Sequence, residues 1–254
     1  MRSFFSFVIV LLCSLQLHAQ DLKIQSGVYH LDSMQVGQAK PRLQGSTLDL
    51  NPFSFHASTL MPGKENHALK SVAREELIVV KQGPLTIQVN DSVASLSTGS
   101  IALILPGDLQ QFRNESDHPV SYFVLGFTSV LPVDSLRGRK GGGSLLKDWN
   151  ALPVKPTAKG ESRAVFDRPS FMFDRFEVHA TLLRAGMDSH SQHTHRQEEV
   201  MLLMKGNITM HLGDRDIPTS TGSLIFVNAN EPHHLTNTGD SECWYYAIKY
   251  NVIH

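Results

Sequence analysis

Short apolar runs separated by turn sequences recur along most of the chain. We predict strands over residues 76–81, 85–89, 101–105 and 121–127, and further strands in the segments NITMHLGD, SLIFV and WYYAIKY. Turn sequences such as KQGP, VNDS, LPGD and NTGD stand between the runs, at a spacing of roughly ten residues that is typical of antiparallel sheets. No long stretch has the helical period of about 3.6 residues. The pattern predicts an all-β fold, either a sandwich or a barrel.

The chain also contains an internal repeat with a constant offset of 123 residues. Two long segments of the first copy align without a gap on the second copy, 53–83 on 176–206 and 97–117 on 220–240. Identical pairs include Glu76 with Glu199 and Asn114 with Asn237. Because chance similarity would not hold register through every turn, we predict two copies of one domain.

The repeat and the composition together predict the domain boundaries. The first domain spans residues 20–134 and the second spans residues 166–254. Residues 135–165 lie between them and are rich in Gly, Pro and Lys, which is typical of a linker.

The first 19 residues have the layout of a secretory signal peptide. One arginine precedes an apolar run over residues 4–17, and Ala19 follows as a small residue at which a signal peptidase could cut. The run is shorter than the roughly 20 residues of a membrane-spanning helix, which disfavours the alternative of an uncleaved anchor. We expect a secreted or periplasmic protein with no membrane association after cleavage. Cys243 would then be its one cysteine, so core packing rather than an internal disulfide must stabilise it.

The composition and net charge of the chain limit the kinds of partner that it can bind. The chain has 254 residues, 41% of them hydrophobic and 19% charged, which is ordinary for a globular protein. The formal net charge is -1, and no block of Lys and Arg supplies the positive surface that nucleic-acid binding requires. We therefore expect a small-molecule substrate rather than nucleic acid, and a homo-oligomer.

The segment HSQHTHRQEEV, residues 190–200, holds a candidate metal site. On a β-strand His193, His195 and Glu199 would share one face, since alternate side chains point the same way. His233, which follows the apolar run SLIFV and a turn, is the candidate for a fourth ligand from a neighbouring strand. Imidazoles with one carboxylate suit Mn, Fe, Co, Ni or Zn, so we predict one divalent transition metal. The alternative is a solvated loop that is rich in histidine.

These residues also resemble the two motifs of the cupin family. The first motif is matched, with six residues instead of five between the glycine and the first histidine, by Gly186, His193, His195, Glu199 and Gly206. The second is matched by Gly222, His233 and Asn237, although Asn228 and Asn230 replace its usual Pro and Gly. With the repeat, the chain resembles a bicupin. The resemblance implies two tandem jelly-roll barrels, with one metal inside the second.

The first copy lacks the histidines. The equivalent positions hold Lys70, Val72, Glu76 and Gln110. Because loss of all three imidazoles should abolish tight binding of a transition metal, we predict a first barrel without metal ligands and with a structural role.

A closer resemblance is to the ureidoglycine aminohydrolases, manganese bicupins that hydrolyse an aminal and release ammonia. It rests on the order of the two barrels, on residues 171–186, and on a last strand with Tyr245 and Lys249, which implies that these two side chains contact substrate. That family typically has Glu, His, His and Gln as ligands, which differs from the set here. His190 is a further candidate for substrate binding, with an exposed loop position as the alternative.

Two classes of function stay open. The first is a metalloenzyme that acts on a small polar metabolite by hydrolysis, isomerisation, elimination or oxygenation. The second is a metal-dependent protein that binds or senses a sugar or carboxylate without turnover.

Overall fold

The computed structural model describes residues 22–30 and 43–252. The predicted signal peptide, residues 1–19, lies outside this part of the chain. The strands up to the predicted linker are β1 (Gly27–Tyr29), β2 (Leu43–Gly45), β3 (Leu50–Leu60), β4 (Lys70–Ser71), β5 (Glu75–Gln82), β6 (Leu85–Val89), β7 (Ser92–Leu96), β8 (Ile101–Ile104), β9 (Leu109–Arg113) and β10 (Val120–Ser129).

The predicted linker, residues 135–165, has secondary structure of its own. It holds α1 (Ser135–Lys140), β11 (Leu145–Lys147), a short 3-10 helix (Trp149–Ala151), β12 (Lys155–Thr157) and the start of β13 (Gly160–Arg168). The remaining strands are β14 (Arg175–Leu183), β15 (Glu198–Lys205), β16 (Asn207–Leu212), β17 (Arg215–Ser220), β18 (Leu224–Val227), β19 (His233–Asn237) and β20 (Cys243–Asn251). Within the described residues no helix is long and apolar enough to cross a membrane.

The strands form two barrels, each made of a large and a small sheet. The first barrel has the six-stranded sheet β11-β8-β5-β10-β3-β2 and the four-stranded sheet β4-β9-β6-β7. The second has the seven-stranded sheet β1-β18-β15-β20-β14-β13-β12 and the three-stranded sheet β17-β16-β19. The all-β prediction is confirmed, and the predicted strands correspond to β5, β6, β8, β10, β16, β18 and β20. One strand crosses over, since β1 pairs with β18 of the second barrel.

The central strands bury both faces, which explains their uninterrupted apolar runs. In β5, Ile78 and Val80 point into the first barrel, whereas Leu77 and Val79 point into a core shared with the second barrel. That shared core lies between the two large sheets. Its centre is aromatic, with ring centroids 5.7 Å apart for Phe127 and Tyr250. The barrels are therefore joined back to back by apolar packing.

Two buried glutamates at equivalent positions of the repeat hold the barrels together. Glu198 of the second barrel accepts hydrogen bonds from Thr47 Oγ1 at 2.6 Å and from the Leu48 N–H at 2.8 Å, in the turn before β3. Glu75 of the first barrel accepts a hydrogen bond from the Met172 N–H at 3.3 Å, in the turn before β14. These two turns are themselves 123 residues apart in the repeat. Each barrel thus caps the same turn of the other, and we call this pair of contacts the glutamate clasp.

Burial raises the pKa of both carboxyls of the clasp. Burial raises the pKa of Glu75 to about 7, against hydrogen bonds from Ser170, Met172 and Phe171 and the charge of Arg168. The ordinary value is 4.5, so between pH 4.5 and 7 the folded protein holds a proton that the unfolded chain releases. The free energy of unfolding should therefore fall as pH rises through this window.

We predict that Glu75→Gln removes the part of this pH dependence that Glu75 contributes, because the amide is neutral at every pH, whereas Glu198 keeps its own contribution. From the shift, the difference across the window is on the order of 3 kcal/mol. Urea unfolding between pH 4.5 and 8 measures it, with the exposed Glu242→Gln as control. An unfolding free energy of Glu75→Gln that falls as steeply as in the parent would contradict the assignment.

Candidate metal centre

His193 and His195 lie before strand β15 rather than on it. β15 begins at Glu198, so Glu199 is on the strand while His193 and His195 are in the preceding segment. The expectation that one strand presents all three side chains is wrong in this respect. His193 instead forms an isolated antiparallel bridge with His233, in which each N–H donates to the other's carbonyl at 3.3 and 3.0 Å. This bridge, rather than strand alternation, places His193 in the site.

The four predicted ligands nevertheless converge. The three histidines each offer a ring nitrogen, and these nitrogens lie within 4.8 Å of one another. Glu199 Oε2 lies 3.0 Å from His195 Nε2 and 3.1 Å from His233 Nε2. His193 Nδ1 is buried and has no hydrogen-bond partner within the described residues. This triad of imidazoles could hold a metal ion, with a carboxylate oxygen beside it.

Backbone hydrogen bonds fix which ring nitrogen faces the site. His195 Nδ1 lies 2.9 Å from the Gln197 carbonyl oxygen, and His233 Nδ1 lies 2.8 Å from the Glu231 carbonyl oxygen. A carbonyl only accepts, so both Nδ1 atoms carry a proton, which leaves Nε2 of each ring as the atom that faces Glu199. Each Nε2 can donate a hydrogen bond to Glu199 or, once it has lost that proton, coordinate a metal ion. The donor set therefore fits a metal ion.

The charges of the site agree with this arrangement. Burial alone would raise the pKa of Glu199, but hydrogen bonds to His195 and His233 and the charge of Lys249 hold it well below its usual range. Burial, reinforced by the neighbouring histidines, lowers the pKa of His193 to about 4. At neutral pH Glu199 is thus ionised and His193 is neutral, which are the forms that coordinate metals.

A cavity of about 270 Å³ opens beside the histidines. His193 and His195 line it, together with a second group of charged residues, Arg175, Glu177 and Lys249. The register of the sheet explains the second group, because Lys249 on β20 lies directly opposite Glu177 on β14 and Glu199 on β15. Lys249 Nζ is 3.9 Å from Glu199 Oε2. The cavity therefore joins the candidate metal site to a charged wall.

The predicted substrate contacts fall in different places. Lys249 lines the cavity, whereas Tyr245 and His190 are not among its lining residues. Tyr245 is 5% exposed and lies deeper in the barrel, where burial, followed by the charge of Glu199, raises its pKa. His190 is exposed, and its ring contacts that of His193 edge to face at 4.1 Å between centroids. Their proposed roles stay predictions.

Sequence reasoning missed Arg175 and Glu177. The signal was present, because the segment RFEVHA alternates polar and apolar residues and so predicts a strand with one polar face. Glu177 Oε1 lies 3.1 Å from His179 Nδ1 on that face. Arg175 contacts Glu177 Oε2 at 2.9 Å and Asp167 Oδ2 at 2.7 Å. The polar face of β14 thus forms a network of charges at the cavity wall.

Two family comparisons cover one barrel each. Residues 181–249 match the Cupin domain family, and residues 64–150 match the family of AraC-like ligand binding domains. No curated protein matches the sequence significantly.

Solved structures share the fold at low identity. A putative glyoxylate-induced protein from Pseudomonas aeruginosa aligns with a TM-score of 0.67 and 16% identity, over 85% of this chain and 80% of that one. Oxalate decarboxylase from Lactobacillus farciminis, in a formate complex, has a TM-score of 0.61 and 13% identity, over 81% and 78% of the chains. Salicylate 1,2-dioxygenase from Pseudoaminobacter salicylatoxidans, with gentisate, has a TM-score of 0.57 and 13% identity, over 78% and 68%.

The fold is therefore two cupin barrels in tandem, as predicted. The matches support placing the chain in the cupin superfamily. The closer resemblance to the ureidoglycine aminohydrolases stays a prediction.

We predict that His195→Ala and Glu199→Ala each lose most of the bound metal, since each removes a donor from the converging set. Lys70→Ala, at the position of the first barrel that is equivalent to His193, should retain it. Elemental analysis of the purified variants measures the metal content. Full retention in Glu199→Ala would rule out the carboxylate as a ligand.

Proposed function

We propose that the protein is a metal-dependent enzyme that acts on a small carboxylate in the second barrel. His193, His195, Glu199 and His233 would bind one divalent transition metal. The observation that carries the proposal is the pair of backbone-fixed imidazoles that direct Nε2 at the same Glu199 oxygen. With His193, the three ring nitrogens lie within 4.8 Å of one another, and such a set of imidazoles with one carboxylate suits a divalent transition metal.

The cavity supports a carboxylate as the substrate class. Lys249 is half-buried and lines the cavity, with Nζ 3.9 Å from Glu199 Oε2, so its ammonium can pair with a substrate carboxylate that enters beside Glu199. Salicylate dioxygenase with gentisate and oxalate decarboxylase with formate, which share the fold, were each solved with a carboxylate. At this low identity the similarity shows only a shared fold, so the proposed substrate class of this protein rests on Lys249.

We assign residues of the cavity separate roles in the proposed reaction. The bound metal supplies Lewis acidity towards an oxygen atom of the substrate. Lys249 orients the carboxylate. Glu177, opposite Lys249 in the sheet and hydrogen-bonded to His179, is placed to take or return a proton at its carboxylate. Burial of the barrel interior keeps bulk water from Glu199.

The reaction class follows from metal and oxygen dependence. A dioxygenase should consume oxygen with iron, nickel or copper bound. A hydrolase, isomerase or lyase should form product without oxygen, with manganese or zinc. We therefore propose elemental analysis of the native protein, followed by a screen of small carboxylates with that metal restored, with and without oxygen. Ligand-induced stabilisation without product for any metal would instead indicate a binding protein.

We predict that Lys249→Met raises the KM for the carboxylate substrate at least tenfold, about 1.4 kcal/mol of binding, while metal content is unchanged. Steady-state kinetics and elemental analysis of the same sample measure both. The exposed Lys205→Met, on β15 outside the cavity, is the matched control and should behave as the parent. An equal KM in the two variants would refute the role of Lys249.

Export and homo-oligomer formation are separate proposals that rest on the sequence. Sequencing the amino terminus of the protein from its native host tests the cleavage after Ala19. Light scattering of the purified protein tests the oligomeric state.

A further inference from the structure

The first barrel has a cavity of its own at the place that corresponds to the metal site. Its volume is about 180 Å³, and Lys70, Val72, Glu76 and Gln110 line it. These are the residues at the four positions equivalent to His193, His195, Glu199 and His233. About 10–15 Å³ of such space is enough for one water molecule, so the cavity has room for a small organic ligand.

The backbone presents these side chains as it does in the second barrel. Lys70 on β4 lies directly opposite Gln110 on β9, just as His193 lies opposite His233. Residues directly opposite in an antiparallel pair place their side chains next to each other on the same face. Lys70 and Gln110 therefore share one wall of the cavity.

Gln110 leaves a buried acceptor without a donor. Its Nε2 donates to Glu76 Oε2 at 2.7 Å, and because a carboxylate only accepts, the orientation of the amide is fixed. The carbonyl oxygen Oε1 is then buried and has no partner within the described residues, in a side chain that is 1% exposed. His56, which also lines the cavity, has an unpartnered buried Nδ1. Unsatisfied buried polar atoms are costly, and a ligand hydroxyl at Gln110 Oε1 would remove that cost.

The cavity also has an excess of positive charge. Glu76 is its one acidic lining residue, and Arg74 neutralises it with a contact of 2.6 Å. Lys70 is exposed at the rim and forms no ion pair within the described part of the chain. One cationic group is thus left over at the mouth, which favours an anion.

We propose that the first barrel binds a small 2-hydroxy carboxylate without a metal. Lys70 pairs with the carboxylate, and Gln110 Oε1 accepts the hydrogen bond of the adjacent hydroxyl. This site is independent of the proposed function of the second barrel, and its ligand needs no metal.

The test uses the full chain with His195→Ala, treated with EDTA, so that the second barrel carries no metal. Titration calorimetry with glycolate and lactate, and with acetate and propionate as their counterparts without the hydroxyl, measures the affinities. We expect each hydroxy acid to bind at least tenfold more tightly than its counterpart. Lys70→Met should lower the affinity for each hydroxy acid at least tenfold. Lys64 is exposed and lies six residues earlier in the chain, so Lys64→Met should leave these affinities unchanged.

Gln110→Met should abolish the preference for the hydroxy acid while a weaker carboxylate affinity persists, a result that a misfolded variant would not give. Three results would overturn the proposal. They are no binding of either hydroxy acid, equal affinities for the acids with and without the hydroxyl, or equal affinities of Lys70→Met and Lys64→Met for the hydroxy acids. Restored metal in the parent protein should not change the first-barrel affinity. Loss of the proposed enzyme activity would leave all these outcomes unaffected.

Discussion

The apolar contact between the two large sheets is the constraint on which the rest of the structure depends. It buries the second face of β5, β10, β14, β15 and β20, so the central strands of both barrels are fixed from both sides. Hydrophobic contact is not directional, and by itself it would let the sheets slide. The glutamate clasp adds direction, because Glu75 and Glu198 each accept hydrogen bonds from one particular turn of the other barrel.

This rigidity extends directly to the candidate metal centre. Glu198 and Glu199 are neighbours on β15 whose side chains point to opposite faces. The first is held by the turn before β3, and the second faces His195 and His233. Positioning of one carboxylate by the interface therefore also positions the other in the barrel. The carboxylate of the candidate metal centre is held here by packing between the barrels as well as by its own neighbours.

Much of the fold could be predicted from the sequence because burial and turn chemistry leave local signals. The apolar runs located the central strands, and the constant offset revealed the two barrels. The residues of the candidate centre could be selected by type and spacing, but their geometry could not. His193 is placed by a bridge to His233, a contact between residues forty positions apart. The wall formed by Glu177 and Lys249 depends on sheet register, which alternation within one strand does not reveal.

The pairing of β1 with β18 has a consequence for how the chain folds during synthesis. Gly27 pairs with Phe226, which is made 199 residues later. The first strand must therefore remain without its final partner while the whole first barrel and the linker are produced. Contacts of such sequence separation form late and slow folding. The large sheet of the second barrel is complete only when β1 has paired with β18, so the second repeat depends on a strand that precedes the first repeat.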